Sequence, residues 1–486
     1  MAAVLVIGAG LNGLAAGVLL ARDGHDVTVL ERDPDEPEGD ARQLWDHWER
    51  PGVNQFRQLH VMLGRWRSRM EQEIPEFFDE LEGLGGRRRS PIEMLPAAVS
   101  GGPRQGDDEL RCVIARRPVL EAALAAVAVR TRGLVVRRGT RVTGLVTGPC
   151  TAGVPCVVGV ETARGELVGA DLVVDAMGRC SPLQRMLCAI GARQPTEERE
   201  EQGFVHYSRQ FRTLDGRPAP LPNAVTHVEG MSLVTIPGDN DTWGWSLVTA
   251  ANDKDLRALR SPAVWDQVLA LFPGTAESRA AGIALTDVQV LSGLEDRRRR
   301  LVVDDVPVVT GLVALGDAWA CTNPTLGRGA TIGLLHVAAL RDVLRAVRTS
   351  DPEKLVQCFA EVTDEVVGPL YDISLHDGRH RMAEMQADIL GTPYASSDPD
   401  WAVSRRFMNV AAEDPDVRRA FLRAAYLLDT PEHALAMPGV REKLETLGPG
   451  LPRYAAEGPR RAEVLAVVGE SGDREAPDVS GAAPPL

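Results

Sequence analysis

The chain has 486 residues, room for two or three domains, and its 44% hydrophobic and 25% charged residues are the balance of a soluble globular protein. A net charge of −14 speaks against a general nucleic-acid or anionic-membrane partner, since both are polyanions. Seven scattered cysteines with no CxxC pair and no Cys/His cluster support neither a disulfide framework nor a metal site.

In chain order, Val4–Glu31 reads as strand, glycine turn, helix and strand. Asp46–Gln58 is polar and irregular, broken by Pro51 and Gly52. Met62–Leu84 carries apolar residues at helical spacing, among them Trp66, Met70, Phe77 and Leu81, interrupted at Pro75. Gly85–Asp108 is expected as surface loop, and Arg117–Arg130 as a helix with Pro118 in its first turn. Arg141–Thr147, Cys156–Thr162 and Glu166–Asp175 predict a strand meander that returns to the first sheet. Between about Arg193 and Arg300, strand-like pieces (Phe204–Phe211, Met231–Ile236, Trp243–Val248) accompany a helix near Ala263–Leu271. Arg297–Arg300 reads as a solvated charged edge before a strand at Leu301–Val303. Leu312–Gly316 is a buried strand, followed by a glycine-rich turn and a long helix from about Ala330. Beyond Ser350 the pattern is helical to about Val468, and residues 469–486 are expected as a disordered tail. No stretch approaches the ~20 continuous apolar residues of a membrane span. The first apolar strand lacks a basic leader, so a cytoplasmic protein without a membrane partner is expected.

Two motifs carry chemistry. Gly8-Ala9-Gly10-Leu11-Asn12-Gly13 follows a strand and opens a helix. Gly8 permits the tight turn, Gly10 the approach of a pyrophosphate, and Gly13 close packing of the helix, whose N-terminus attracts phosphate. Glu31 ends the second strand, where a carboxylate accepts from a ribose diol, and Arg32 follows it. This much suits NAD or FAD. The second motif is Gly316-Asp317, then Pro324, Gly327, Arg328, Gly329 and Ala330 at the start of a helix. Asp317 suits a ribityl hydroxyl, and the helix start suits negative charge on a reduced flavin. The pair predicts FAD.

Together these motifs resemble the FAD-binding framework of the para-hydroxybenzoate-hydroxylase-like (group A) flavoprotein monooxygenases. That family also has an Arg-x-x-Leu-Glu helix near the cofactor, matched by Arg117-Pro118-Val119-Leu120-Glu121. Its alanine–aspartate–glycine signature is matched in part by Ala176-Met177-Gly178-Arg179-Cys180-Ser181, with Asp175 leading. The resemblance implies a Rossmann-like, glutathione-reductase-type α/β domain from residues 1–190 and 295–345. It also implies an inserted mixed β-sheet substrate domain (191–294) and a helical C-terminal region (346–468). Met177 departs from the aspartate that single-component hydroxylases of the family use with NAD(P)H. Electrons are therefore expected from NAD(P)H in another mode, from a partner flavin reductase, or from the substrate of an oxidase.

The resemblance further implies hydroxylation or epoxidation of a sizeable organic substrate, of the secondary-metabolism kind, through a flavin C4a-hydroperoxide formed with O2. A flavin oxidase or dehydrogenase that desaturates its substrate is the alternative. A flavin halogenase would need a framework lysine, and none precedes Lys254. In the loop Arg50–His60, Arg57 and His60 are candidate catalytic residues, with Pro324 beside the flavin's reactive edge. Trp243, Trp245 and Tyr207 read either as pocket lining or as core. A monomer or homodimer is expected.

Overall fold

A computed structural model describes residues 1–149, 153–201, 203–214, 221, 224–454 and 458–472. Most of the expected tail, residues 469–486, lies outside the described residues. At its centre is a five-stranded sheet, ordered Leu312–Ala314, Leu172–Asp175, Ala3–Ile7, Asp26–Leu30, Leu134–Arg137, with every pair parallel. Parallel strands are covered on both faces, so they alternate between two cores rather than between core and water. Val4 and Val6 face a core built with the helices Leu11–Arg22, Arg117–Arg130 and Gly329–Ala346. Leu5, Ile7 and Val173 face the other, closed by the helix Leu183–Ala189 and the meander Val142–Thr147, Val157–Thr162, Leu167–Gly169.

Pro75 splits the predicted helical stretch into Gly64–Glu73 and Phe77–Gly83. The expected loop at Gly85–Asp108 carries structure of its own. Arg87–Arg89 pairs with Cys112–Ile114, which also pairs with Val61–Met62. Three arginines make a strand because this one is an edge: their side chains stay exposed while the backbone pairs.

The inserted domain is a six-stranded sheet whose long strands are Met231–Pro237, Thr242–Ala250 and Phe204–Thr213. Every pair in it is antiparallel, a correction to the mixed sheet expected, because no helical crossover joins its strands in parallel. Tyr207, Trp243 and Trp245 are core, packed with Phe211 and Trp265. Arg297–Arg300 is not a solvated edge. It belongs to the strand Glu295–Arg300, paired with Thr196–Glu201, with Arg297 and Arg299 buried.

The C-terminal helices start on a repeated signal, a capping Asp or Thr followed by proline, at Asp351-Pro352, Asp398-Pro399, Asp414-Pro415 and Thr430-Pro431. Each cap side chain accepts a backbone N–H, and proline fills a position whose own N–H has no helical partner. The helices Pro399–Glu413, Pro415–Ala425, Pro431–Leu435 and Val440–Leu447 form a small cap with a core of Phe407, Val410, Val417 and Leu444. The last helix, Arg461–Gly472, leaves this cap: Val464 and Val468 pack into the inserted domain's core, and Arg461 pairs with Asp253. Among the described residues no helix is long and apolar enough to cross a membrane.

Candidate active site

Both sequence motifs open into one cavity of about 1640 Å³. On the nucleotide side the turn after the first strand places Gly8, Gly10, Leu11 and Asn12 in its wall. Gly8 takes φ +106°, and a Cβ there would stand 2.6 Å from the Ala176 carbonyl oxygen. Gly13 lies beneath the wall, packed on the Gly8 carbonyl too closely for any side chain. Gly10 differs: its φ of −78° suits any residue, and the nearest atom to an added Cβ is Arg117 Nη2 at 4.0 Å. A glycine with room on every side from its own protein is a cradle for something else. The helix that follows has no side-chain cap, leaving its first N–H groups for a pyrophosphate.

Glu31 is buried and accepts from Ala9 N at 2.7 Å and Asp33 N at 3.0 Å. It also pairs with Arg50, whose guanidinium bonds Asp33, the fully buried Glu121 and the Ala9 carbonyl as well. Glu121 in turn holds Arg117 at 2.5 Å, beside Gly10. Burial raises the Glu121 pKa, but Arg117 and Arg50 outweigh that and hold it below the ordinary carboxylate range. Arg32 lines the same wall, half-exposed against Gly52.

On the flavin side, Asp317, Pro324, Gly327 and Arg328 line the cavity, with Gly329 and Ala330 at the start of an uncapped helix. Asn12 joins the two motifs. Its amide fills the space where side chains at Gly316 and Gly333 would be. Gly178 and Met177 line the cavity from the third turn, which Asp175 secures by accepting from Met177 N and from the Ser181 hydroxyl. The buried arginine strand braces both turns: Arg299 donates to the Ala318 carbonyl at 3.0 Å and Arg297 to the Arg179 carbonyl at 2.7 Å. The residues present therefore fit FAD: Gly10 and Arg117 would hold its pyrophosphate, Glu31 a ribose and Asp317 its ribityl chain.

Of the three candidate catalytic residues, Pro324 and His60 line the cavity and Arg57 does not. Arg57 stacks on Trp45, 4.7 Å from the ring centre, and donates to the Trp48 carbonyl and to Glu49. The loop's buried arginine is Arg50. His60 has Nδ1 3.0 Å from the Gln58 carbonyl, with Arg117 on its far side. Burial and that guanidinium push its pKa down to about 3, so it is a neutral ring and not a proton donor.

The sequence did not single out the polar string that runs from the inserted sheet into the flavin turn. Ser208 Oγ donates to Ser246 Oγ at 2.9 Å, and Ser246 Oγ lies 3.4 Å from His206 Nδ1. His206 Nε2 is 3.2 Å from Thr325 Oγ1, which donates to Asn323 Oδ1 at 2.8 Å. Burial pushes the His206 pKa down to about 4, so its ring is neutral, accepting at Nδ1 and donating at Nε2. Behind this turn Asp296 accepts from Asn323 N at 2.8 Å, and burial pushes its pKa up to about 7.

Residues 3–86 match the model of the FAD dependent oxidoreductase family. The chain is an FAD-dependent oxidoreductase. This oxidoreductase is 28% identical over 463 residues to Protein Rv3254 of Mycobacterium tuberculosis, covering 88% of this chain and 90% of that one. It is 24% identical over 371 residues to Squalene epoxidase 2, mitochondrial, of Arabidopsis thaliana, covering 74% of this chain and 56% of the plant protein. Among solved structures it aligns with Pseudomonas aeruginosa PqsL in complex with 2-aminobenzoylacetate at a TM-score of 0.57 and 16% identity, over 80% of this chain and 97% of that chain. PqsL is described as a probable FAD-dependent monooxygenase. The fold is thus like that of PqsL.

Proposed function

We propose that this oxidoreductase is a monooxygenase that hydroxylates or epoxidises a sizeable organic substrate. The observation that carries this reading is the single cavity of about 1640 Å³, shared by both cofactor turns, one face of the inserted sheet and the helical cap. Pockets for one small molecule run to ~300–1,000 Å³, so this volume suits FAD and a large substrate together. Phe204, Val234 and Val248 of the sheet and Trp401, Phe407 and Met408 of the cap all line it, apolar surface that would help keep water from the reacting atoms.

FAD, when bound and reduced, supplies the activation of O2 and the transfer of one oxygen atom. The protein's own part is position and protons. The start of the helix Gly329–Ala346 lies beside the flavin site without an acidic residue or side-chain cap, so it favours negative charge there. A substrate hydroxyl set against Ser208 Oγ would donate to the outer end of the string, whose hydrogen bonds through Ser246 to His206 hold that oxygen in place. The matches to a squalene epoxidase and to PqsL support oxygen transfer within walls of this kind. Met177 in place of a carboxylate supports delivery of electrons by a separate flavin reductase rather than by NAD(P)H bound to this chain.

The test begins with the yellow holoprotein under nitrogen. NADH and NADPH, added separately, are expected to leave the flavin oxidised, and a flavin reductase to bleach it. A panel of apolar polycyclic and isoprenoid compounds is then turned over under ¹⁸O2, and one ¹⁸O atom is expected in the product. A product without ¹⁸O, formed while substrate alone bleaches the flavin under nitrogen, would instead assign an oxidase or dehydrogenase.

A further inference from the structure

One cluster of metal-ligating side chains takes no part in the FAD site. His376 and His380 lie one turn apart on the helix Gly368–Ile389, and Asp398 is the N-cap of the helix Pro399–Glu413. His376 Nε2 is 2.9 Å and His380 Nε2 3.1 Å from the same oxygen, Asp398 Oδ2. The capping work falls to the other oxygen: Oδ1 accepts from Asp400 N at 2.9 Å and Trp401 N at 3.4 Å. All three ligand atoms lie within 4.8 Å of one another. Two donors about 2.1 Å from one tetrahedral ion stand about 3.4 Å apart, so the spacings between each imidazole and the carboxylate need open by only a few tenths of an ångström to admit it.

The rings are already oriented as metal-bound imidazoles are. His380 stacks on Trp401 with ring centres 4.7 Å apart and planes 7° apart, and its Nδ1 is 2.7 Å from the Tyr394 hydroxyl. His376 Nδ1 is 3.6 Å from Asp377 Oδ1. The hydrogen-bond partner on the far nitrogen of His380 fixes its tautomer and leaves Nε2 for the ion, while Asp377 beside His376 Nδ1 lies beyond hydrogen-bond distance. The three side chains are half-buried, so an ion can enter from solvent.

We infer that His376 Nε2, His380 Nε2 and Asp398 Oδ2 bind one divalent first-row transition ion of the Zn²⁺ class, which clamps the helical cap onto the long helix at the rim of the cavity. Two imidazoles and one carboxylate suit such an ion and leave a coordination position to water. The clamp also touches the flavin turn, because Asp377 accepts from Arg328 Nη1 at 2.8 Å. The spacing His-x-x-x-His on a helix is visible in the sequence, but Asp398 is not, since it arrives from the next helix.

The experiment titrates ZnCl2 into chelator-treated FAD holoprotein in a calorimeter, followed by elemental analysis after desalting. One tightly held equivalent per chain is expected, with a raised Tm and slower proteolysis within residues 390–454. Asp398→Asn keeps an oxygen for the cap but removes the anionic ligand, and His380→Gln removes an imidazole. Each is expected to weaken binding by at least about 10-fold with FAD still bound, whereas His433→Ala, at a separate surface pair, leaves it unchanged. Absence of a saturable single equivalent in the parent protein, or undiminished binding by both Asp398→Asn and His380→Gln, overturns the assignment.

Discussion

The cofactor half of the cavity and the substrate half are held in opposite ways. At the nucleotide turn the buried Arg50 and the half-buried Arg117 lie among the carboxylates of Glu31, Asp33 and Glu121, and each charge is met by another. Across the cavity the string Ser208–Ser246–His206–Thr325–Asn323 carries no net charge, and apolar side chains such as Phe204 and Val248 line the cavity together with charged ones such as Arg381 and Arg405. A buried charge cluster fixes one geometry strictly, because removing a member strands the others. A neutral string strands no charge when ligands of different outline meet it. Fixed geometry thus lies where the cofactor never changes, and adaptable surface where substrates do.

The sharpest way to break the cofactor half is through its glycines, and two of them separate folding from binding. Gly13→Val drives a side chain into the Gly8 carbonyl, so no folded yellow protein is expected. Gly10→Val adds a Cβ that meets nothing closer than 4.0 Å in the protein. It is expected to keep the far-ultraviolet circular dichroism of the parent but to lose FAD affinity by on the order of 100-fold, about 2.7 kcal/mol. Parent-like affinity in Gly10→Val would mean that the pyrophosphate does not lie on this turn.

The charge cluster comes next. Arg50→Met leaves Glu31 without its cation and Asp33 with only Arg32 at 3.9 Å, and deprives Glu121 of one of two. A loss of about 3–5 kcal/mol in stability is expected from urea unfolding. Arg57→Met, seven residues on, removes an ion pair whose Glu49 partner is 67% exposed, and is expected to cost at most about 1 kcal/mol. Equal losses in the two variants would abolish the distinction between the loop's arginines.

That pair also marks how far the sequence could be read. The glycine turns and the Asp317 turn are legible because their work is done by backbone over a few consecutive residues, and the helix Arg117–Arg130 has the bounds expected of it. Arg50 was not legible as the cofactor-side arginine. Its partners at 31, 33 and 121 come from separate elements, and only the need of two inward carboxylates for a cation pointed to it. The arginine run at 297–300 misled for a related reason. Charge runs usually face water, but here alternate residues turn inward to backbone carbonyls at Arg179 and Ala318, and no local pattern reveals that. The string through His206 joins residues 119 apart to the flavin turn, a distance over which one sequence carries no register.

An effect smaller than that of Arg50, and dependent on pH, belongs to Asp296 behind the neutral string. Asp296 is buried, accepts one backbone N–H, and its other oxygen has no hydrogen-bond partner among the described residues. Burial pushes its pKa from 3.8 up to about 7, so the folded protein holds a proton that the unfolded chain releases between those values. Where the native state binds more protons than the unfolded state, stability falls as pH rises. The loss therefore grows from about pH 4 to about pH 7 and is constant above it. Asp296→Asn still offers an oxygen to Asn323 N and has no charge to bury. Its stability relative to the parent should climb across that window by on the order of 2 kcal/mol, read from urea midpoints at pH 5 and pH 8. A difference that does not change with pH would show that Asp296 is ionised in the folded protein, and that the substrate half also holds a buried charge.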